Sequence, residues 1–134
     1  MFYRADTYDT SVAAIYFSLR DQVQRATDLA GALCPAMEHD PRGGRVVAAT
    51  KATGVVASDD NFATSVFFPD GSTRDIGNIC WAGIALTRLY AKTRQFRYLY
   101  SAQVIGNWIR ANCAVDDAWQ GFSGGEEAWG AKRL

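Results

Sequence analysis

Histidine is almost absent. His39 is the only one in 134 residues. A histidine-based zinc site needs a second histidine or a suitably spaced cysteine, and neither is present. Standing at the end of a helical pattern, in MEHDP, His39 reads as a charge placed against a helix C-terminus. Cys34, Cys80 and Cys113 form no CxxC pair, and their odd number argues against a disulfide framework. All three lie among apolar residues in helical patterns, so small core residues are expected there. No GxGxxG, GxxxxGK(S/T) or GxSxG occurs, so nothing favours a nucleotide site or a serine hydrolase. Ser11, Ser18, Ser65 and Ser123 have no histidine partner in a recognisable pattern. Net charge is also lacking, with 14 basic against 14 acidic residues. Phosphate binding needs a basic surface, so nucleic acid is not expected as a partner. No apolar run is long enough to span a bilayer, and Met1–Asp9 is too polar for a signal peptide. A cytoplasmic protein with no membrane partner is the expectation.

What is present is ordinary for a globular chain: 49% apolar and 21% charged residues, in a length that suits one domain. The clearest order lies in residues 75–113. Trp81, Ile84, Ala85 and Leu89 recur at helical spacing. Arg94-Gln95 interrupts, and Phe96, Leu99, Val104, Ile105, Trp108 and Ile109 resume the pattern. Two amphipathic helices joined by a short polar turn make a helical hairpin. A first hairpin is read at residues 8–39. Its opening helix runs from Tyr8 to Leu19, capped by Asp9, Thr10 or Ser11, with Val12, Ile15, Tyr16 and Leu19 on its apolar face. After Arg20-Asp21 a second helical pattern runs from Gln22 to His39, and Pro35 predicts a kink or an end near Leu33.

Residues 40–74 have another texture. They are β-branched, punctuated by glycine and free of helical period. Arg45–Ala49, Val55–Ala57 and Thr64–Phe68 read as short strands or extended loops. The tail, residues 114–134, is rich in glycine and aromatics and reads as loop. Helix pair, extended excursion, helix pair and tail suggest a repeat architecture, because each hairpin buries a face only against a neighbour.

YDTSVAAIYF opening a helix, GNICWAGIALTRLYAKTRQFRYLYSAQVIGNWI after the excursion, and a final GGE loop together resemble the six-hairpin (α/α)6-toroid glycosidase superfamily. Asn78, Trp81, Ala82, Leu86 and Tyr90, then Arg97-Tyr98-Leu99, carry most of that resemblance. It covers nearly the whole chain but only about two of the six hairpins, which implies the N-terminal portion of such a toroid. The implied fold is mainly α, an incomplete toroid of antiparallel hairpins with a short β-like excursion. The implied activity is hydrolysis of a carbohydrate at a cleft on one end of the barrel.

Glycoside hydrolysis needs two carboxyl groups across the scissile bond, one of them held protonated. The acids in loop settings are Asp59, Asp60, Asp75, Asp116, Asp117, Glu126 and Glu127. Asp75 stands immediately before a helix start, on the side where toroid clefts open. The plainer reading is an N-terminal acid favoured by the helix dipole. Asp59 and Asp60 sit in SDDNF, either as cleft acids or as an Asx-rich turn. The candidate catalytic set is therefore Asp75 with Asp59 or Asp60. Asn78, Trp81, Trp119, Glu126, Glu127 and Trp129 are the candidate substrate-binding residues, since aromatic faces stack on sugars. Trp119, Phe122 and Trp129 could equally close the bundle or an oligomer interface.

No organic cofactor is called for, and an all-oxygen divalent-cation site built from the aspartate pairs stays open. Such a cation would serve a second reading, a small hydrolase of phosphate or sulfate esters with an oligomer-built pocket. A third is a non-enzymatic oligomeric helical domain that binds sugars. Two hairpins of a toroid expose apolar faces, so self-association is expected, most simply as a C2 homodimer.

Overall fold

The computed structural model describes residues 4–38, 49–51, 74–116, 121–126 and 132–133. It is mainly helical. Helix α1 (Thr7–Leu19) and α2 (Val23–Ala30) form one hairpin, and a short α3 (Leu33–Glu38) follows. Helices α4 (Ile76–Thr93) and α5 (Phe96–Asn112) form another. α4 is central, packing on α1, α2 and α5. No helix among the described residues is long and apolar enough to cross a membrane.

The strands are short. β1 (Arg4–Asp6) pairs antiparallel with β2 (Ala49–Lys51). β3 (Arg74–Asp75), β6 (Gly125–Glu126) and β7 (Lys132–Arg133) form a three-stranded antiparallel sheet with β6 in the middle. β4 (Ala114–Val115) pairs with β5 (Gly121–Phe122). The tail expected to be loop thus contains four strands. Two-residue strands are too short for alternation to show in sequence. Of the three stretches expected to be extended, the described residues include only Ala49, in β2.

Both hairpin turns use a left-handed residue, which is why each polar break ends a helix. Asp21 has φ 56 and Arg94 has φ 59. After α1 the Gln22 N–H donates to the Phe17 carbonyl at 2.9 Å and the Asp21 N–H to Ser18 at 3.3 Å. That is the Schellman arrangement. After α4 the Arg94 N–H donates to the Tyr90 carbonyl at 2.8 Å, the simpler left-handed cap. Lys92 then donates to Asp21 at 2.5 Å and ties the two turns together. At the other end the rings of Tyr8 and Trp81 meet edge to face at 5.8 Å. These two contacts make α1 and α4 parallel, so the two hairpins stand side by side with the same polarity. The strands before α1 and α4 and the strand after α5 therefore all lie at one end of the bundle.

Several helix details differ from the sequence expectation. α1 begins at Thr7, so Asp9 lies in its first turn and Ser11 donates internally to the Thr7 carbonyl at 2.6 Å. The second helical pattern is interrupted near Leu33, as Pro35 predicts. It breaks at Gly31-Ala32 and restarts at Leu33, which puts Pro35 in a first turn, where no amide donor is needed. The buried faces are also rotated. α1 buries Thr7, Ser11, Ala14 and Ser18, while Tyr16 and Leu19 are 56% and 59% exposed. α4 buries Ile79, Ala82, Ala85, Leu86 and Leu89 and leaves Trp81 and Ile84 outside. α5 buries Tyr98, Ser101 and Ile105, with Phe96 outside. Each helix is apolar over more than one sector. Close helix approach favours the sector with the smallest side chains.

The two hairpins share a residue pattern. Counted from the helix starts, Ser11, Ala13, Ala14, Ile15, Phe17 and Ser18 of α1 recur as Cys80, Ala82, Gly83, Ile84, Leu86 and Thr87 of α4. Not at the same distance from the helix start but three residues further along, the spacing of Ala26, Leu29, Ala30 and Leu33 in α2 and α3 recurs as Ala102, Ile105, Gly106 and Ile109 of α5. In the first hairpin the small members are fully covered: Ser11, Ala14, Ser18, Ala26 and Ala30.

Tyr98, the largest fully buried side chain among the described residues, lies near Gly31. A Cβ on Gly31 would stand 2.4 Å from the Thr27 carbonyl oxygen and 3.8 Å from the Tyr98 hydroxyl. Gly31→Ala is expected to cost about 1–3 kcal/mol through this overpacking, read from urea unfolding. An unchanged midpoint would contradict it.

The Lys92 hydrogen bond, helped by the ammonium charge, holds the exposed Asp21 carboxyl below its usual range. The sign follows directly. A depressed acid contributes above its unfolded pKa, and that contribution fades as pH falls through the folded value, below about pH 4. In Lys92→Met the Asp21 carboxyl should titrate at higher pH by NMR, with little change in stability at neutral pH.

Candidate functional site

The strand end gathers several of the residues singled out by sequence. Asp75 closes β3 directly before the first residue of α4. Its register partner is Gly125, and the partner of Arg74 is Glu126. Asp75 and Glu126 therefore stand one register step apart on neighbouring strands, positions that alternate between the two faces of the ladder. Far apart in sequence, they are brought together by the fold. The Ile76 N–H, freed at the helix start, donates to the Gly124 carbonyl at 3.0 Å and locks the tail onto α4.

Asn78 lies in the first turn of α4 and is half-buried. Trp81 follows one turn later, 38% exposed, against the partly exposed Tyr8. The pair presents an aromatic surface at this end. An edge-to-face contact fixes ring orientation and contributes about 0.5–1.5 kcal/mol beyond burial. Phe122, on β5, is exposed at the same end.

The tail is anchored by specific bonds. The Ser123 N–H donates to the Cys113 carbonyl at 2.7 Å, and its buried hydroxyl donates to the Gly125 carbonyl at 3.4 Å. Gly125 has φ 125 and is buried while pairing on both sides. Only glycine adopts that backbone easily. This explains the second glycine of the GGE loop, Gly125.

Asp59, Asp60, Trp119, Glu127 and Trp129 lie outside the described residues, as do His39 and Asp117. Asp116 is exposed after β4. Among the described residues no group of three histidine, cysteine or acidic side chains could hold a metal ion. The cysteines divide. Cys34 and Cys113 are buried, and Cys34 accepts a hydrogen bond from Ser101 at 3.4 Å. Cys80 is exposed, contrary to the expectation of a core residue. Its apolar surroundings still push the thiol pKa up.

Sequence reasoning missed Tyr8, Arg74 and Gly125 as members of this end. A usable signal existed for Tyr8. It opens α1 as Gly77 opens α4, so parallel hairpins bring it beside the second turn of α4. No such signal marked Arg74 or Gly125, whose place depends on a pairing between distant segments.

Gly125→Ala is expected to destabilise the strand end by about 1–3 kcal/mol. Amide exchange of Asp75 and Ile76 should accelerate while the amides of the helix cores keep their protection. Unchanged exchange there would refute the anchoring role of β6.

Neither family models nor curated proteins match the chain, so residue chemistry carries the functional reading.

Proposed function

We propose that this chain belongs to a toroid-type helical-hairpin protein that hydrolyses a carbohydrate by carboxylate general acid–base chemistry at its strand end. The observation carrying this reading is that Asp75, directly before α4, stands at the same end of the parallel hairpins as an exposed aromatic pair, Tyr8 and Trp81. Parallel side-by-side hairpins also support the toroid reading.

In this mechanism Trp81 and Tyr8 stack on the apolar face of a sugar ring, and Asn78 and Glu126 bind its hydroxyls. Trp119, Glu127 and Trp129 complete the binding surface. Asp75 protonates the glycosidic oxygen as the bond to the anomeric carbon breaks. Asp59 or Asp60 supplies the second carboxylate, which either takes the proton of a water attacking that carbon or attacks it first and is then displaced by water. No cofactor takes part. The substrate is a small sugar or oligosaccharide.

A second reading, a non-enzymatic oligomeric helical unit, is favoured by an apolar groove on the α4–α5 hairpin. Turnover separates the two. On a panel of chromogenic glycosides and phosphate and sulfate esters, glycosides alone should be cleaved, with no effect of a chelator. Asp75→Asn should reduce kcat by about 10²–10⁴-fold with its circular dichroism unchanged. Trp81→Ala should mainly raise KM. A folded protein inactive on every glycoside would remove the glycosidase reading; chelator-sensitive ester cleavage would replace it with an ester hydrolase, and no turnover on any substrate with the non-enzymatic unit.

A further inference from the structure

We propose that the α4–α5 groove is a docking surface for the first hairpin of a second copy of this chain, joined head to tail. This inference is independent of the proposed chemistry.

The groove has a volume of about 440 Å³ and is lined by Cys80, Gly83, Ile84 and Thr87 of α4 with Ala102 and Gly106 among those of α5. These are the repeat counterparts of Ser11, Ala14, Ile15 and Ser18 of α1 and Ala26 and Ala30 of α2. The small members of the first-hairpin set, Ser11, Ala14, Ser18, Ala26 and Ala30, are covered inside the chain, where α4 packs on both α1 and α2. The second-hairpin set has the same small-residue relief. Yet Ile84 is 46% exposed, and Cys80, Thr87 and Gly106 are exposed too. A surface shaped like one that accepts a helical hairpin therefore has no cover among the described residues.

The first hairpin also carries the matching ridge. The α4 residues Ala82, Ala85 and Leu86 face the core. Their α1 counterparts are Ala13, Tyr16 and Phe17, and Tyr16 is exposed. Charge selects the same partner. The second hairpin bears Arg88, Lys92, Arg94, Arg97 and Arg110 and no acid. The first bears Asp9, Asp21, Asp28 and Glu38 against Arg20 and Arg25. Within the chain this complementarity is already realised by Lys92 and Asp21. A second copy repeats the same juxtaposition across the groove. Because ridge and groove are different surfaces, the contact is heterologous and propagates to a ring or an open array rather than a C2 dimer.

Sedimentation velocity of the full chain over a concentration series tests this directly. The parent should grow in mass with concentration. Nothing lies within 4 Å of a Cβ on Gly106, so Gly106→Leu has room at its base to direct a side chain into the groove. It should be monomeric with an undiminished Tm. Tyr16→Asp should be monomeric as well. Mixed, the two variants share one intact ridge and one intact groove, so they should form a 1:1 heterodimer and stop there. Alkylation of Cys80 should slow in that mixture. Should Gly106→Leu fail to fold, Thr87→Arg at the exposed groove wall takes its place. A parent that stays monomeric, a variant that self-associates like the parent, or a mixture that stays monomeric would each overturn the proposal. A mass fixed at two chains for the parent would overturn it in favour of a C2 dimer.

Discussion

Close approach of helices through small side chains is the constraint on which this structure depends. Ser11, Ala14 and Ser18 of α1, Ala26 and Ala30 of α2, and Ala82 and Ala85 of α4 are all essentially inaccessible. Around them sit the larger members of the core, Ile79, Leu86, Leu89, Tyr98 and Ile105. Full burial of an aliphatic side chain contributes about 1.5–3 kcal/mol. That gain is available only because the small residues let neighbouring backbones come close. The rest follows. Parallel α1 and α4 put both helix starts at one end, where the strands gather, and both turns at the other, where Lys92 meets Asp21.

The hairpin at residues 75–113 was legible because its interruption, Arg94-Gln95, is polar and short between long apolar patterns. The same signal marked the end of α1 at Arg20-Asp21. The faces were not legible. Periodicity says that Trp81 and Ile84 share an apolar sector with Ala85 and Leu89. It does not say which sector of α4 meets a neighbour. Tyr16, Leu19 and Phe96, large side chains read as facing the core, are exposed. Serines and alanines held the contact. A hydrophobicity scale discounts small residues, although shape decides where two helices can touch.

Of the candidate site, Asp75 and Trp81 were legible through their position at a helix start. Their companions were not, because the pairing of β3 with β6 joins segments that flank the entire second hairpin. Nothing local in Arg74 or Gly125 announces that pairing. The order of the hairpins announced a repeat, but its residue-by-residue match was hidden. Its matches are Ser to Cys, Ala to Gly and Ser to Thr, conservative in volume and poor in identity.

The middle strand of the three-stranded sheet gives this molecule an order of assembly. Each helical hairpin closes over a turn of a few residues, so its contacts form early and locally. β6 can find β3 only after α4 and α5 have folded back on each other, because the strands close a loop containing both helices. Loop closure on that scale is entropically opposed until the hairpin shortens the distance. The end carrying Asp75 is therefore the last part to form and the first to open. It can breathe on its own timescale while the bundle beneath it stays shut.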